Sequence, residues 1–322
     1  MAYAKTKNIE AALLTAILLV GALSLASEVP GVWFCDLLSQ LRFVMLALSI
    51  IGLLACVLTR YWYAALLSAL IVIGNMAPLI FKLLPMQCDG SSLTTSLSVL
   101  EYNTEFQNND DYASFLNLIS KDSPDIIALV EVDKKWIDAL SPVYEKYPYR
   151  LFDSAGAGMA LFSRFQISKS EVRYFGKSHH PRIEAHLLVN GTELSLMEVH
   201  PPTPSSDQRF HERNDEMVQM AQEMQELPSP KILIGDLNCG PWSNSFEQLW
   251  KVSKLRDSSY GFGTLPTWPA RAGRIIPGVP IPPLIPIDHI LVSHDICVDK
   301  RAVGPAINSD HLPVFVQLSL HK

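Results

Sequence analysis

The chain has 322 residues, 48% of them hydrophobic, with a mean hydropathy of +0.17 and a formal net charge of −6. That length holds one large domain and something more. Residues 1 to 89 hold five Lys/Arg and four Asp/Glu, which leaves 21 basic against 28 acidic groups beyond them, a net of −7 with no basic surplus to track long nucleic acid backbones. Metal-binding carboxylates would account for some of that acidity, so the charge weakens a nucleic-acid reading without removing it.

The apolar excess lies at the N-terminal end. Residues 11 to 27, 43 to 59 and 61 to 81 carry no charge, and each approaches the length of about 17 to 25 residues that crosses a bilayer as a helix. Three such segments without an amphipathic face would leave a soluble core no polar exterior. Residues 1–84 therefore read as a membrane anchor with transmembrane helices near 9–27, 38–59 and 61–83. The first also reads as a signal peptide, since Lys5 and Lys7 precede it and Ser24-Leu25-Ala26 offers a small-residue cleavage site. The later spans favour a retained helix. Lys5, Lys7 and Arg60 place the N-terminus and the second turn in the cytoplasm, and three crossings then put everything after Leu84 outside it. In a bacterium that side is the periplasm.

Cys35, Cys56, Cys88, Cys239 and Cys297 have no metal-type spacing and are too sparse for a disulfide scaffold. Cys35 and Cys88 fall just outside the membrane on one predicted face, where oxidation is permitted, so a bridge between them is an expectation.

Residues 85–96, with Pro85, Gly90 and three serines, read as a tether, and 97–322 as a catalytic domain. Ser96 to Tyr102 predicts a strand, Asp111 to Ser120 a helix, Ile126 to Val132 a buried strand, Trp136 to Tyr144 a helix and Met159 to Ser163 a strand. Arg182 to Val189 and Glu193 to Val199 flank Asn190-Gly191, a hairpin-turn dipeptide. The hairpin explains Asn190-Gly191-Thr192 better than glycosylation does. Asp207 to Glu226 predicts a long helix whose Met217, Met220 and Met224 stripe is core packing. Lys231 to Leu237, Ile287 to Val292 and Val314 to Leu320 supply the last strands. Hairpins mixed with strand–helix alternation point to two packed sheets covered by helices. Ile275 to Ile287 carries five prolines, too stiff and extended to lie within a sheet. It reads as a loop braced on its own domain or as an apolar rim toward lipid.

Strand ends and the turns beside them deliver Asn103, Glu131, His200, Asp236 with Asn238, Asp288, and Asp310 with His311. Singly, each has an ordinary explanation: a turn amide, a surface acid, a hydrogen-bonded histidine, a cap. Their recurrence at one relative position points to metal-assisted cleavage of a phosphate ester. Glu131 supplies hard oxygen to Mg²⁺, with Asp310 or Asn103 or through water. Asn103, Asn238 and His200 face phosphoryl oxygens. His311 is the natural general base, oriented by Asp288, and Asp236 is the other group that could deprotonate water.

These segments resemble the endonuclease/exonuclease/phosphatase superfamily. Val99-Leu100-Glu101-Tyr102-Asn103, Ala128-Leu129-Val130-Glu131-Val132, Glu198-Val199-His200-Pro201, Gly235-Asp236-Leu237-Asn238, Ile287-Asp288-His289-Ile290 and Ser309-Asp310-His311-Leu312-Pro313 match its motifs in order, from about Ser96 to Leu320. The resemblance implies a four-layer α/β sandwich, two packed mixed sheets flanked by helices, and phosphoester hydrolysis with Mg²⁺ or Mn²⁺. His200 stands where abasic-site endonucleases of the superfamily have tyrosine, which favours the deoxyribonuclease, sphingomyelinase and phosphatase branches. The three spans with Gly263-Thr264-Leu265-Pro266-Thr267-Trp268-Pro269 look most like a membrane-anchored branch of bacterial envelopes. Leu161-Phe162-Ser163-Arg164 is a further family-like strand end, and Arg164 either contacts phosphate or pairs with an acid. The expected substrate is a lipid or small phosphoester. A nucleic acid is the less favoured alternative, and a catalytically dead receptor or scaffold is the alternative of another class.

Overall fold

The computed structural model describes residues 2–85, 93–153, 157–175, 180–271 and 281–321. The uncharged N-terminal stretches form helices α1 (Ala2–Ala26), α2 (Trp33–Gln40), α3 (Arg42–Leu58) and α4 (Trp62–Phe81). Among them α1 and α4 are long and apolar enough to cross a membrane, and α2 with α3 qualifies only as a pair bent by 67°. The second predicted span is therefore broken at Leu41, between Gln40 and Arg42. The polar groups explain the break: Asp36, Gln40 and Arg42 are all buried.

The remaining chain alternates β1 (Leu93–Asn103), α5 (Tyr112–Asp122), β2 (Ile126–Val132), α6 (Lys134–Ala139), β3 (Tyr149–Asp153), β4 (Gly158–Ser163), β5 (Gln166–Phe175), β6 (His180–Val189) and β7 (Thr192–Val199). It continues with α7 (Asp207–Glu226), β8 (Lys231–Asp236), α8 (Asn244–Ser253), β9 (Arg256–Asp257), β10 (Asp288–Val292), β11 (Ile296–Val303) and β12 (Val314–His321). Two six-stranded sheets result, in the orders β11-β12-β1-β2-β4-β3 and β5-β6-β7-β8-β10-β9. Each is mixed, with β1 parallel to β2 and β7 parallel to β8.

Alternation along the central strands sends Leu97, Val99, Ile126 and Ala128 of one sheet against Ile183, Leu196, Ile232 and Ile234 of the other. The opposite faces take helices. Phe115 and Trp136 of α5 and α6 cover the first sheet, and Met217, Met220 and Met224 of α7 cover the second with Phe246 and Leu249 of α8. This is the four-layer sandwich, and the methionine stripe is core. The helix expected over Trp136 to Tyr144 is instead α6 followed by a 3₁₀ turn at Ser141–Val143, where Pro142 removes a donor.

The N-terminal helices are docked on the sandwich. Arg213 of α7, fully buried, donates to Asp36 Oδ2 of α2 at 3.0 Å and to the Asn238 carbonyl at 2.9 Å. Gly240 N–H donates to Gln40 Oε1 at 2.7 Å, Trp33 Nε1 to the Pro204 carbonyl at 2.8 Å, and Lys82 Nζ to Asp257 Oδ2 at 2.6 Å. Residues 86–92 of the expected tether lie outside the described residues, and β1 already begins at Leu93.

One sequence expectation fails. Cys35 is a free thiol, so it is not bridged to Cys88, which lies outside the described residues; Cys297 is the disulfide-bonded cysteine.

Removing one partner of a buried ion pair strands the other charge. Asp36→Ala is expected to lower stability by about 3 to 5 kcal/mol, read as a fall in melting temperature of the detergent-purified chain. An unchanged melting profile would mean that α2 is not held by Arg213.

Candidate active site

Parallel pairing brings the C-terminal ends of β1 and β2, and of β7 and β8, to one edge. Antiparallel pairing brings the start of β10 to the same place, with Asp288 directly opposite Asp236, and β12 runs back along β1 so that the turn before it arrives there too. Six separated motifs thereby share one cleft.

Local backbone features aim the side chains. The β2–β4 register shifts between Val130 and Val132, and Glu131 sits in that bulge at φ +60°, turned out of the strand face toward the cleft. Gly235 has φ +143°, and a Cβ there would lie 1.9 Å from the Val199 carbonyl oxygen, so only glycine lets β8 approach β7 before Asp236. Asn238 is also left-handed, at φ +51°, in a turn closed by its N–H on Asp236 Oδ1 at 2.8 Å.

His311 is bound through Nδ1 to both oxygens of Asp288, at 3.0 and 2.9 Å, which leaves Nε2 facing Asp236 Oδ2 at 3.7 Å. His200 Nε2 lies 3.5 Å from Glu131 Oε1 and 3.6 Å from Asp236 Oδ2. Asn103 Nδ2 donates to Glu131 Oε1 at 3.0 Å and to Asp236 Oδ2 at 3.1 Å. Asn238 Nδ2 donates to the Pro201 carbonyl at 3.0 Å. The structure thus brings together Asn103, Glu131, His200, Asp236, Asn238, Asp288, Asp310 and His311.

Burial and crowding set the protonation. Burial first, then the Asp288 charge, push the Asp236 carboxyl up to about 8. Burial pushes His200 down to about 4. Burial also opposes charge on His311, but Asp288 and Asp236 outweigh it and hold the imidazole well above its ordinary value. Burial raises Glu131 less than the His200 charge, the Asn103 amide and the Phe106 N–H lower it, and it stays below the usual range.

Glu131, His200 and Asp236 each offer a ligand atom within 4.8 Å of the others, and so do Asp236, Asp288 and His311. His200 Nε2 is buried without a hydrogen-bond partner. Crowded carboxylates, one of them proton-holding near neutrality, beside an orphaned imidazole nitrogen fit a divalent cation.

Three expected site residues make further contacts. Asn103 Oδ1 accepts from Glu105 N–H at 2.9 Å, and its NH₂ donates to Glu131 and Asp236. Asp310 accepts from Trp268 Nε1 at 3.1 Å and lies 3.9 Å from His311 Nε2, outside both ligand groups found among the described residues. Arg164 does not reach the cleft. Because β4 is antiparallel to β2, Ser163 pairs with Ile126, at the far edge of the sheet from Glu131, and Arg164 there binds Asp125 Oδ1 at 3.1 Å and stacks over Tyr147.

The cleft, about 240 Å³, is also lined by Gln40, Glu105, Trp268, Ile285 and Ile287, which the motifs did not name as site residues. Trp268 belongs to the Gly263 to Pro269 motif and the isoleucines to the proline-rich stretch, and Trp268 pairs with Ile285 across an isolated bridge. Of the proline-rich stretch, residues 272–280 lie outside the described residues. Gln40 carried no signal, since it lies at the start of an expected span.

Residues 100–311 match the endonuclease/exonuclease/phosphatase family. No curated protein matches the sequence. Among solved structures, D. rerio TDP2 complexed with a single-strand DNA product superposes with a TM-score of 0.59 at 19% identity, covering 70% of this chain and 99% of that one. A mannosyl-6-phosphatase of Bacteroides thetaiotaomicron VPI-5482 superposes at 0.56 and 19%, covering 69% and 99%. An endonuclease/exonuclease/phosphatase from Bacteroides vulgatus does so at 0.56 and 17%, covering 71% and 100%. With its six motifs on one edge of a four-layer sandwich, the chain is a member of the endonuclease/exonuclease/phosphatase family.

Proposed function

We propose that the protein is a membrane-anchored phosphoester hydrolase, dependent on Mg²⁺ or Mn²⁺, whose catalytic domain lies outside the cytoplasm and acts on a lipid or small phosphoester. The observation that carries the enzymatic reading is the buried His311–Asp288 dyad, at 2.9 Å, facing Asp236 beside the Glu131/His200/Asp236 ligand group. A receptor that kept only the fold would have no chemical need for that set.

Glu131, His200 and Asp236 would hold the cation, whose charge would offset that developing on the phosphoryl oxygens. Asn103 Nδ2 positions the Glu131 and Asp236 carboxyl groups, and the second Nδ2 hydrogen of Asn238 is a donor for the phosphoryl oxygens. Asp288 fixes the His311 tautomer, so Nε2 is the atom that exchanges a proton in the cleft. Ionised once it faces the cation, Asp236 would orient and deprotonate the attacking water through Oδ2, 3.7 Å from Nε2, and the departing alkoxide would take its proton from His311.

Several features support a substrate other than duplex DNA. No Lys or Arg among the described residues lines the cleft, whereas Trp268, Ile285 and Ile287 do. Backbone tracking needs several cationic contacts. The membrane reading draws support from α1 and α4, and from the way Glu28, Gln40 and Lys82 all contact the catalytic domain. Those contacts leave the Arg60 turn at the opposite end of α3 and α4, in keeping with the positive-inside pattern.

His311→Ala and Asp236→Asn are expected to cost about 10² to 10⁴ in turnover of an aryl phosphodiester while leaving the melting profile intact. Near-wild-type turnover by a folded His311→Ala protein would remove the dyad from the mechanism. For substrate class, specific activity on phospholipid vesicles and small phosphodiesters should exceed that on plasmid DNA at equal metal. Strong DNA cleavage without activity on the others would establish an envelope nuclease instead. A reporter active only outside the cytoplasm should work when fused after Lys322, and activity of a cytoplasmic reporter alone would invert the topology.

A further inference from the structure

Where α1 and α4 pack, glycines on both helices leave an open groove of about 730 Å³, within the size range of small-molecule sites. Leu18, Gly21 and Leu25 form one wall and Leu70, Gly74 and Phe81 the other. At one end the apolar lining gives way to Glu28 and Arg42, just beyond the apolar run of α1. Neither residue lines the catalytic cleft.

Arg42 is unusual for such a position. Its side chain is only 4% exposed; it pairs with Glu28, which is 59% exposed, and its Nε is buried without a hydrogen-bond partner. The guanidinium also lies 6.0 Å from the Trp242 ring centroid, and Asn244 Nδ2 donates to the Glu28 carbonyl at 3.5 Å. The polar end of the groove is therefore braced by the catalytic domain. A buried, unsatisfied guanidinium N–H is costly, and a phosphate oxygen is its best acceptor. The cation and anion side by side sum to no net charge, which complements a phosphate bearing an ammonium better than a phosphate alone.

We propose that the groove between α1 and α4 binds a zwitterionic glycerophospholipid, with an acyl chain along the apolar walls, the phosphate on Arg42 and the ammonium toward Glu28. This rests on the membrane reading above, though not on the hydrolytic one. The site is distinct from the cleft, so its occupant is a bound lipid rather than the substrate.

The full chain, purified in detergent, would be titrated with dioleoyl phosphatidylethanolamine, dioleoyl phosphatidylglycerol and dioleoylglycerol, with bound lipid counted by native mass spectrometry. Phosphatidylethanolamine should bind about tenfold more tightly than dioleoylglycerol, the loss expected when one charge-assisted hydrogen bond goes. Arg42→Gln should bring the two lipids level. Gly74→Phe should remove binding of both by filling the groove, and a Cβ at Gly74 meets nothing within 4 Å, so that variant should fold. Equal wild-type binding of phosphatidylethanolamine and dioleoylglycerol, tighter binding of phosphatidylglycerol, or undiminished binding by Gly74→Phe would each overturn the site. Recovery of the wild-type chain in the supernatant of carbonate-washed membranes would instead overturn the membrane reading itself.

Discussion

Everything at the catalytic edge is arranged around carboxyl groups that burial would otherwise neutralise. Glu101, Asp236 and Asp288 are almost wholly buried within one end of the sandwich, and removing charged oxygens from water is costly unless cations or donors face them. Glu101 has no hydrogen-bond partner among the described residues, and burial with the nearby Asp288 and Asp236 charges, opposed by His311 and Arg301, raises it well above its ordinary value. Asp288 is treated differently. Its carboxylate takes His311, and its carbonyl takes Arg301 Nη2 at 3.2 Å. Asp236 has amide donors and an imidazole at a distance, an environment that a divalent cation would complete.

The same compensation runs outward to the N-terminal helices. Arg301 Nη1 donates to Ser258 Oγ at 2.5 Å, beside Asp257, which holds Lys82 at the end of α4. Burial raises Asp257, but the charges of Lys82, His289 and Arg301 outweigh it and keep the carboxylate well below its ordinary range. On the other side, Arg213 spans Asp36 of α2 and the Asn238 carbonyl of the catalytic turn. Two buried cation–carboxylate contacts thus fix the helices to the strand ends that carry the chemistry.

Much of this was legible in the sequence because the acid, amide and imidazole groups of the cleft sit where an apolar run ends or in the turn beside one. Glu131, His200, Asp236, Asp288 and His311 were all read that way. Elements without a buried period were missed. In β5 most side chains face solvent, so it lacks the apolar alternation that marks a half-buried strand. The two-residue β9 is too short for any period. Arg164 left two readings open for a different reason: a strand-end motif does not reveal which edge of an antiparallel sheet it occupies, and only the Ser163–Ile126 pairing does. The break at Leu41 escaped because average hydropathy over 38–59 hides Gln40 and Arg42, and because the partners of Asp36 and Gln40, Arg213 and Gly240, lie far along the chain.

That break has a structural consequence for the cleft. A straight span would carry residues 33–40 into lipid, where Asp36 and Gln40 would lack partners. Bent by 67°, α2 instead lies on α7, and Gln40 both accepts the Gly240 N–H, two residues after Asn238, and lines the catalytic cleft. Without the N-terminal helices, Arg213 would lose its carboxylate, Asp257 its ammonium and Gly240 its acceptor, all of them buried groups. The polar groups that interrupt the apolar segment are therefore the ones that complete the sandwich. The helices and the sandwich depend on each other for buried hydrogen bonds.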